Sequence, residues 1–124
     1  MSNLGTLTTK LYKELVNNSM AGASIMSDGK IPKSGFALSI DPDFEEKTDV
    51  LNFHVLVTYA SKVEKFLNKS VDKGIGIWFN ESEGMFYLDV ITVKKSINEA
   101  ITLAKMNNQL AIFHLNTKQE IKIV

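Results

Sequence analysis

Asp41, Asp43, Glu45, Glu46 and Asp49 crowd five carboxylates into nine residues. Such a cluster holds a hard cation or faces a basic partner. An EF-hand loop sets acids at alternating positions before a glycine and adds a distal glutamate, and Asp-Pro-Asp-Phe-Glu-Glu-Lys-Thr-Asp lacks that order. The plainer reading is a solvated loop, and the sharper one is an acidic patch offered to a basic surface. A second candidate is Asp89, an aspartate inside a strongly strand-forming run. In a simple hairpin register it shares a sheet face with Tyr87 and with Trp78 of the adjoining strand. Either that face is merely solvated or it is a binding surface, for which exposed Trp and Tyr are favoured anchors.

The remaining reactive side chains are dispersed. His54 and His114 both fall in expected strands, with neither HExxH nor facial-triad spacing around them, and read as ordinary hydrogen-bonded imidazoles. Glycines 22, 29, 35, 74, 76 and 84 mark separate turns and assemble no phosphate-binding loop. Ser39, Asp89 and Glu99 have no G-x-S-x-G elbow or adjacent base to activate a nucleophile. Absence of cysteine removes thiol catalysis, disulfides and thiolate metal sites. The expectation is a protein that is not an enzyme and needs neither metal nor cofactor. A class-different alternative is a small ligand-binding or enzymatic domain with a pocket around Asp89, Asn108 and Gln109.

Composition narrows the partners. Fourteen basic residues, all lysine, balance fourteen acidic ones, so no global field draws the chain to nucleic acid or an anionic membrane. Without arginine there is no bidentate fork to read guanine edges, which disfavours sequence-specific recognition of DNA. No apolar run approaches the ~18 residues of a membrane span. The opening segment lacks a secretory pattern, so a cytoplasmic protein is expected. The length of 124 residues fits a single domain over 1–124.

The elements that must position these residues follow from periodicity. Leu4, Leu7, Leu11 and Leu15, with Tyr12 and Val16, predict a helix over 6–17 that stops at Asn17 and Asn18. Ala23 to Met26 and Gly35 to Ile40 read as a strand pair joined through Asp28-Gly29. Asp41 to Asp49 reads as a loop, and Leu51 to Val57 as a strand. Ser61-Lys62-Val63-Glu64 reads as a capping box opening a helix that ends by Gly74. Ile75 to Asn80 and Met85 to Val93 alternate as a hairpin around Glu81 to Gly84. Ser96-Ile97-Asn98-Glu99 caps a helix with Ile97, Ala100, Ile101 and Ala104 inward, ending at Asn107 and Asn108. Gln109 to Leu115 and Glu120 to Val124 close the chain as strands. The sum is α+β: a mixed, mainly antiparallel sheet of about six strands, about three helices mainly on one face, and one β-α-β crossover.

Three segments taken together, Ile31-Pro32-Lys33-Ser34-Gly35-Phe36-Ala37-Leu38-Ser39, Gly76-Ile77-Trp78 leading to Tyr87-Leu88-Asp89-Val90, and Glu99-Ala100 leading to Asn108-Gln109-Leu110-Ala111-Ile112-Phe113, resemble a family of small proteins encoded on bacteriophages and other mobile elements. The resemblance covers about Ser24 to Ile123. It carries no assigned chemistry. It implies an accessory protein of the anti-defence kind, anti-CRISPR proteins among them. The expected function is therefore inhibition of a host defence protein, such as a CRISPR effector, by surface occupation, with Trp78, Tyr87, Asp89, Asp41, Asp43, Glu45 and Glu46 as contact residues.

Overall fold

The computed structural model describes residues 4–68, 72–109 and 111–123. Leu110 and Val124, which belong to the last two expected strands, lie outside the described residues. The elements run α1 (Leu4–Asn17), β1 (Gly22–Met26), β2 (Phe36–Ser39), a 3-10 turn (Pro42–Phe44), β3 (Glu46–Thr48), α2 (Phe53–Leu67), β4 (Lys73–Asn80), β5 (Met85–Lys94), α3 (Ile97–Met106), β6 (Ala111–His114) and β7 (Gln119–Lys122). The fold class is α+β, with three helices and one open seven-stranded sheet in the order β1-β4-β5-β2-β6-β7, β3 pairing beside β5. Every adjacent pair is antiparallel, so the sheet is antiparallel rather than mixed as expected, because β2 inserts between the two strands of the crossover. The parallel relation expected of the crossover holds between β5 and β6, which α3 connects and β2 separates.

All three helices cover the same face. Leu7, Leu11 and Leu15 of α1 meet Leu56, Tyr59, Ala60, Val63 and Leu67 of α2 over Ile25, Ile75, Ile77, Leu88 and Val90. Those α2 residues repeat at three and four, so the helix presents one apolar stripe to the sheet. Ala100 and Ala104 of α3 pack on Leu38 and Ile112, forming a second, smaller cluster. Small alanines let that short helix approach closely. Ile97, expected to point inward, is exposed at the helix start.

Four sequence expectations are corrected. Leu51 to Val57 is not a strand, and His54 with it lies on a helix. Asn52 accepts from the Val55 amide at 2.9 Å and starts α2 nine residues before Ser61, which sits inside the helix. Phe53, Val55, Val57 and Thr58 favour strands singly, but the helical spacing of the residues after them wins. The Asp28-Gly29 turn forms, yet β1 and β2 do not pair: β1 pairs with β4, and β2 with β5 and β6. The acidic segment is not a plain loop, since it holds the 3-10 turn and β3. Lastly, α1 stops at Asn17 as its spacing predicts, but the left-handed residues of that stop are Ser19 and Met20 rather than Asn17 and Asn18, with the Met20 amide bonding to the Leu15 carbonyl.

Replacing Asn52 by Ala is expected to cost about 1 kcal/mol through the lost cap. Ser61→Ala should move stability by less than about 0.5 kcal/mol, as a surface change inside a helix. Urea denaturation of the two variants checks the reassigned helix start.

The two ends of the free edge of β1 are engaged by its own chain. Gly22 O accepts from Asn18 Nδ2 at 3.0 Å. The Met26 amide donates to Lys30 O, and its carbonyl accepts from the Gly29 amide. At the other edge β7 has only four residues and carries Glu120 and Lys122, charges of the kind that discourage strand addition. The face of the sheet away from the helices is the larger uncovered surface.

Candidate functional site

That uncovered face is built by alternation along β4 and β5. Leu88 and Val90 point into the helical layer, so Tyr87, Asp89 and Ile91 point away from it. Across the hairpin Trp78 stands directly opposite Tyr87, and Gly76 opposite Asp89. The Trp78 and Tyr87 rings lie 5.2 Å apart at 59°, and Trp78 remains 38% exposed. Lys47 of β3, opposite Tyr87, brings its ammonium to 4.7 Å from the Tyr87 ring centre. Its interaction with Tyr87 holds the Lys47 pKa above the ordinary lysine value. The Tyr87 hydroxyl donates to Glu83 in the hairpin turn.

The acidic segment reaches the same place. Ser39 pairs with Ile91 and Glu46 with Leu88, so the six residues 40–45 stand opposite only Asp89 and Val90. The excess chain is thrown out as the 3-10 turn. Asp41 caps it, accepting from the Asp43 amide at 2.9 Å. Phe44 pins it by packing its ring on Phe66 at 4.7 Å and accepting the Tyr59 hydroxyl at 2.7 Å. Burial, and then the negative charges of Asp89, Glu46 and Glu45, hold the Tyr59 phenol well above its ordinary pKa. β3 then zips the acidic stretch onto β5, and its register sets Glu45 at the level of Asp89.

Asp89 therefore lies at the mouth of a break in the strand beside it. Ser39 Oγ donates to its Oδ1 at 3.3 Å. Burial, followed by the field of Glu45, raises the Asp89 pKa to about 6, against the opposing effect of the Ser39 hydrogen bond. A serine and an aspartate in contact do not make a nucleophile, for an imidazole must take the proton. His54 is on the exposed surface of α2, and His114 stacks on Phe36 at 4.5 Å.

Of the residues read as contacts, Trp78, Tyr87, Asp89 and Glu45 come together on one face. Glu46 points to the helix side and pairs with Lys62, while Asp41 is engaged as a cap. Asp43 is exposed on the 3-10 turn. The two surfaces that the sequence left as alternatives, acidic stretch and aromatic strand, thus adjoin along β5. Ser39 and Lys47 complete the site, and no sequence signal marks them, because the β2, β3 and β5 pairings alone bring them there.

Asn108 and Gln109 lie in the connection from α3 to β6, with β2 between β6 and β5. Asn108 takes the left-handed conformation (φ 57°) that stops the helix, and Gln109 bonds back to Ala104 and Asn107. Two surface cavities, of about 460 and 630 Å³, include neither of these residues nor Asp89. Among the described residues, no group of three or more His, Asp or Glu side chains is placed to hold a metal ion. Among them too, no helix is long and apolar enough to cross a membrane. Comparison with protein-family models, curated proteins and solved structures finds no match to this chain.

Proposed function

We propose that this chain is a non-enzymatic binding protein of a phage or mobile element, and that it inhibits a bacterial defence protein, such as a CRISPR effector, by occupying its surface. The observation that carries the reading is the junction of the Trp78 and Tyr87 ring pair with the half-buried Asp89 and the exposed Glu45 on an uncovered sheet face. Large, stiff aromatic rings bind at low entropic cost, and carboxylates beside them select a partner that brings positive charge. The engagement of both ends of the β1 edge by its own chain favours recognition through the face over strand addition. The resemblance to mobile-element accessory proteins supplies the biological setting.

The test is phage plating on a host with an active CRISPR system, with and without this chain, followed by binding of the purified chain to the purified effector. The chain should restore plating and bind. Truncating Trp78 to Ala should weaken that binding about 30-fold, the scale of a ~2 kcal/mol hot spot. Tyr87→Ala should act in the same direction. Binding untouched by both changes would remove this face from the mechanism.

A further inference from the structure

Lys95, Ser34 and Asn116 are far apart in sequence, yet the sheet brings them together at the end opposite the Trp78 and Tyr87 pair. β5 ends at Lys94, β2 begins at Phe36 and β6 ends at His114, and these three neighbouring strands finish side by side. Around their ends Ser34, Gly35, Phe36, Lys95, His114 and Asn116 line an open cavity of about 460 Å³. That volume is in the range of small-molecule sites.

The walls are fixed by dedicated contacts. Asn116 Oδ1 accepts the Gly35 amide at 2.9 Å, and the Leu115 amide donates to Gly35 O at 2.9 Å. Gly35 is required there, because its φ is +96° and a Cβ would stand 2.9 Å from the Lys94 carbonyl. His114 lies almost flat on Phe36, at 12° between planes, and its Nδ1 is 3.0 Å from the Thr117 hydroxyl.

What those walls have left to offer is mostly donors. The Asn116 side-chain oxygen is spent on Gly35, so its NH₂ group remains. Lys95 brings an ammonium, and among the described residues no carboxylate lies within ion-pair distance of it, since Glu99 pairs with Lys94 instead. Ser34 adds a hydroxyl, and no acid lines the cavity. The stacked Phe36 and His114 rings form a flat, largely apolar wall beside these donors. α3 begins one residue after Lys95, at its cap Ser96, so the positive end of its dipole adjoins the rim.

We infer that this cavity binds a small organic oxyanion, a phosphate or carboxylate, with its anionic group on Lys95, Ser34 and Asn116 and its planar or apolar part on the Phe36 and His114 wall. The site is separate from the proposed partner-binding face, and either can fail without the other.

The experiment is an amide NMR titration of the full chain with phenyl phosphate and with benzoate, using chloride at matched ionic strength as the reference. Saturable shifts concentrated at Ser34, Gly35, Lys95 and Asn116 are expected for at least one probe. Lys95→Gln should weaken that binding about tenfold, and Ser34→Ala severalfold. Both positions are exposed, so neither change threatens the fold. Whichever probe saturates identifies the anion class. Shifts that grow linearly for both probes, spread over the surface lysines, or persist unchanged in Lys95→Gln would overturn the site.

Discussion

Asp89→Asn is expected to stabilise the protein by about 2 kcal/mol at pH 7.5 and to leave it unchanged near pH 3.5. In the unfolded chain this carboxyl loses its proton near the ordinary aspartate value, whereas in the folded chain it holds on until about pH 6. Between those values the folded state binds more protons than the unfolded state. Its stability therefore falls as pH rises through that window, and the whole penalty is present above it. Each tenfold gain in proton affinity on folding is worth ~1.4 kcal/mol, and about 2 kcal/mol remains after discounting for the residual solvent contact of a half-buried group. Asparagine keeps an oxygen for Ser39 and carries no charge. Urea denaturation of both proteins at the two pH values checks this, and the difference between them cancels every other titrating group. Equal gains at both pH values would mean that the Asp89 charge is not the burden.

A carboxylate that weakens its own fold at neutral pH calls for a compensating role, since strained electrostatics concentrate where proteins bind or react. On the proposed reading the compensation arrives with the partner. A lysine or arginine of the bound protein, seated beside Asp89 and Glu45, relieves the repulsion between them as it forms its ion pairs. The same Asn substitution should then raise stability and lower affinity. A residue retained only for packing would not give effects of opposite sign.

The elements that depend on local pattern were legible. Ser96 accepts the Glu99 amide as the capping box required, Asn107 and Asn108 end α3, and β4 and β5 pair in the register that sets Trp78 against Tyr87. Readings failed where a distant partner decides. Nothing near Asp28-Gly29 reveals that β1 will pair with β4 and β2 with β5, about fifty residues away in each case. The acidic segment has no strand pattern of its own, and β3 exists because three residues find the open edge of β5 beyond the end of β2. For the same reason Asp89 and Glu45 were legible singly as candidates, while their proximity, which makes them a site, was not. The Lys95 cavity had no sequence signature at all, since it forms where three strand ends meet.

Gly74→Ala should be the most damaging small substitution in the sheet, costing about 3 kcal/mol or more through a clash that no side-chain rotation relieves. A Cβ at position 74 would stand 2.3 Å from the Ile25 carbonyl oxygen and 3.0 Å from the Met26 Cα, both backbone atoms of β1. To make room β1 must move off β4, which loosens the buried Ile25 and Ile75 pair beneath. Gly76→Ala is the control on the same strand and face. Its Cβ would meet the Ile91 Cγ2 at 2.8 Å, an atom that moves only if a buried, β-branched side chain turns about χ1, for an expected cost of about 2 kcal/mol, still below that of a backbone clash. Denaturant midpoints of the two variants give the comparison, and equal effects would show that β1 and β4 are not held at this separation. One of these glycines also bears on the binding face. Gly76, two residues before Trp78 on the same face, carries no side chain, so on that side the indole has no neighbour from its own strand, and its ring meets Tyr87 across the hairpin.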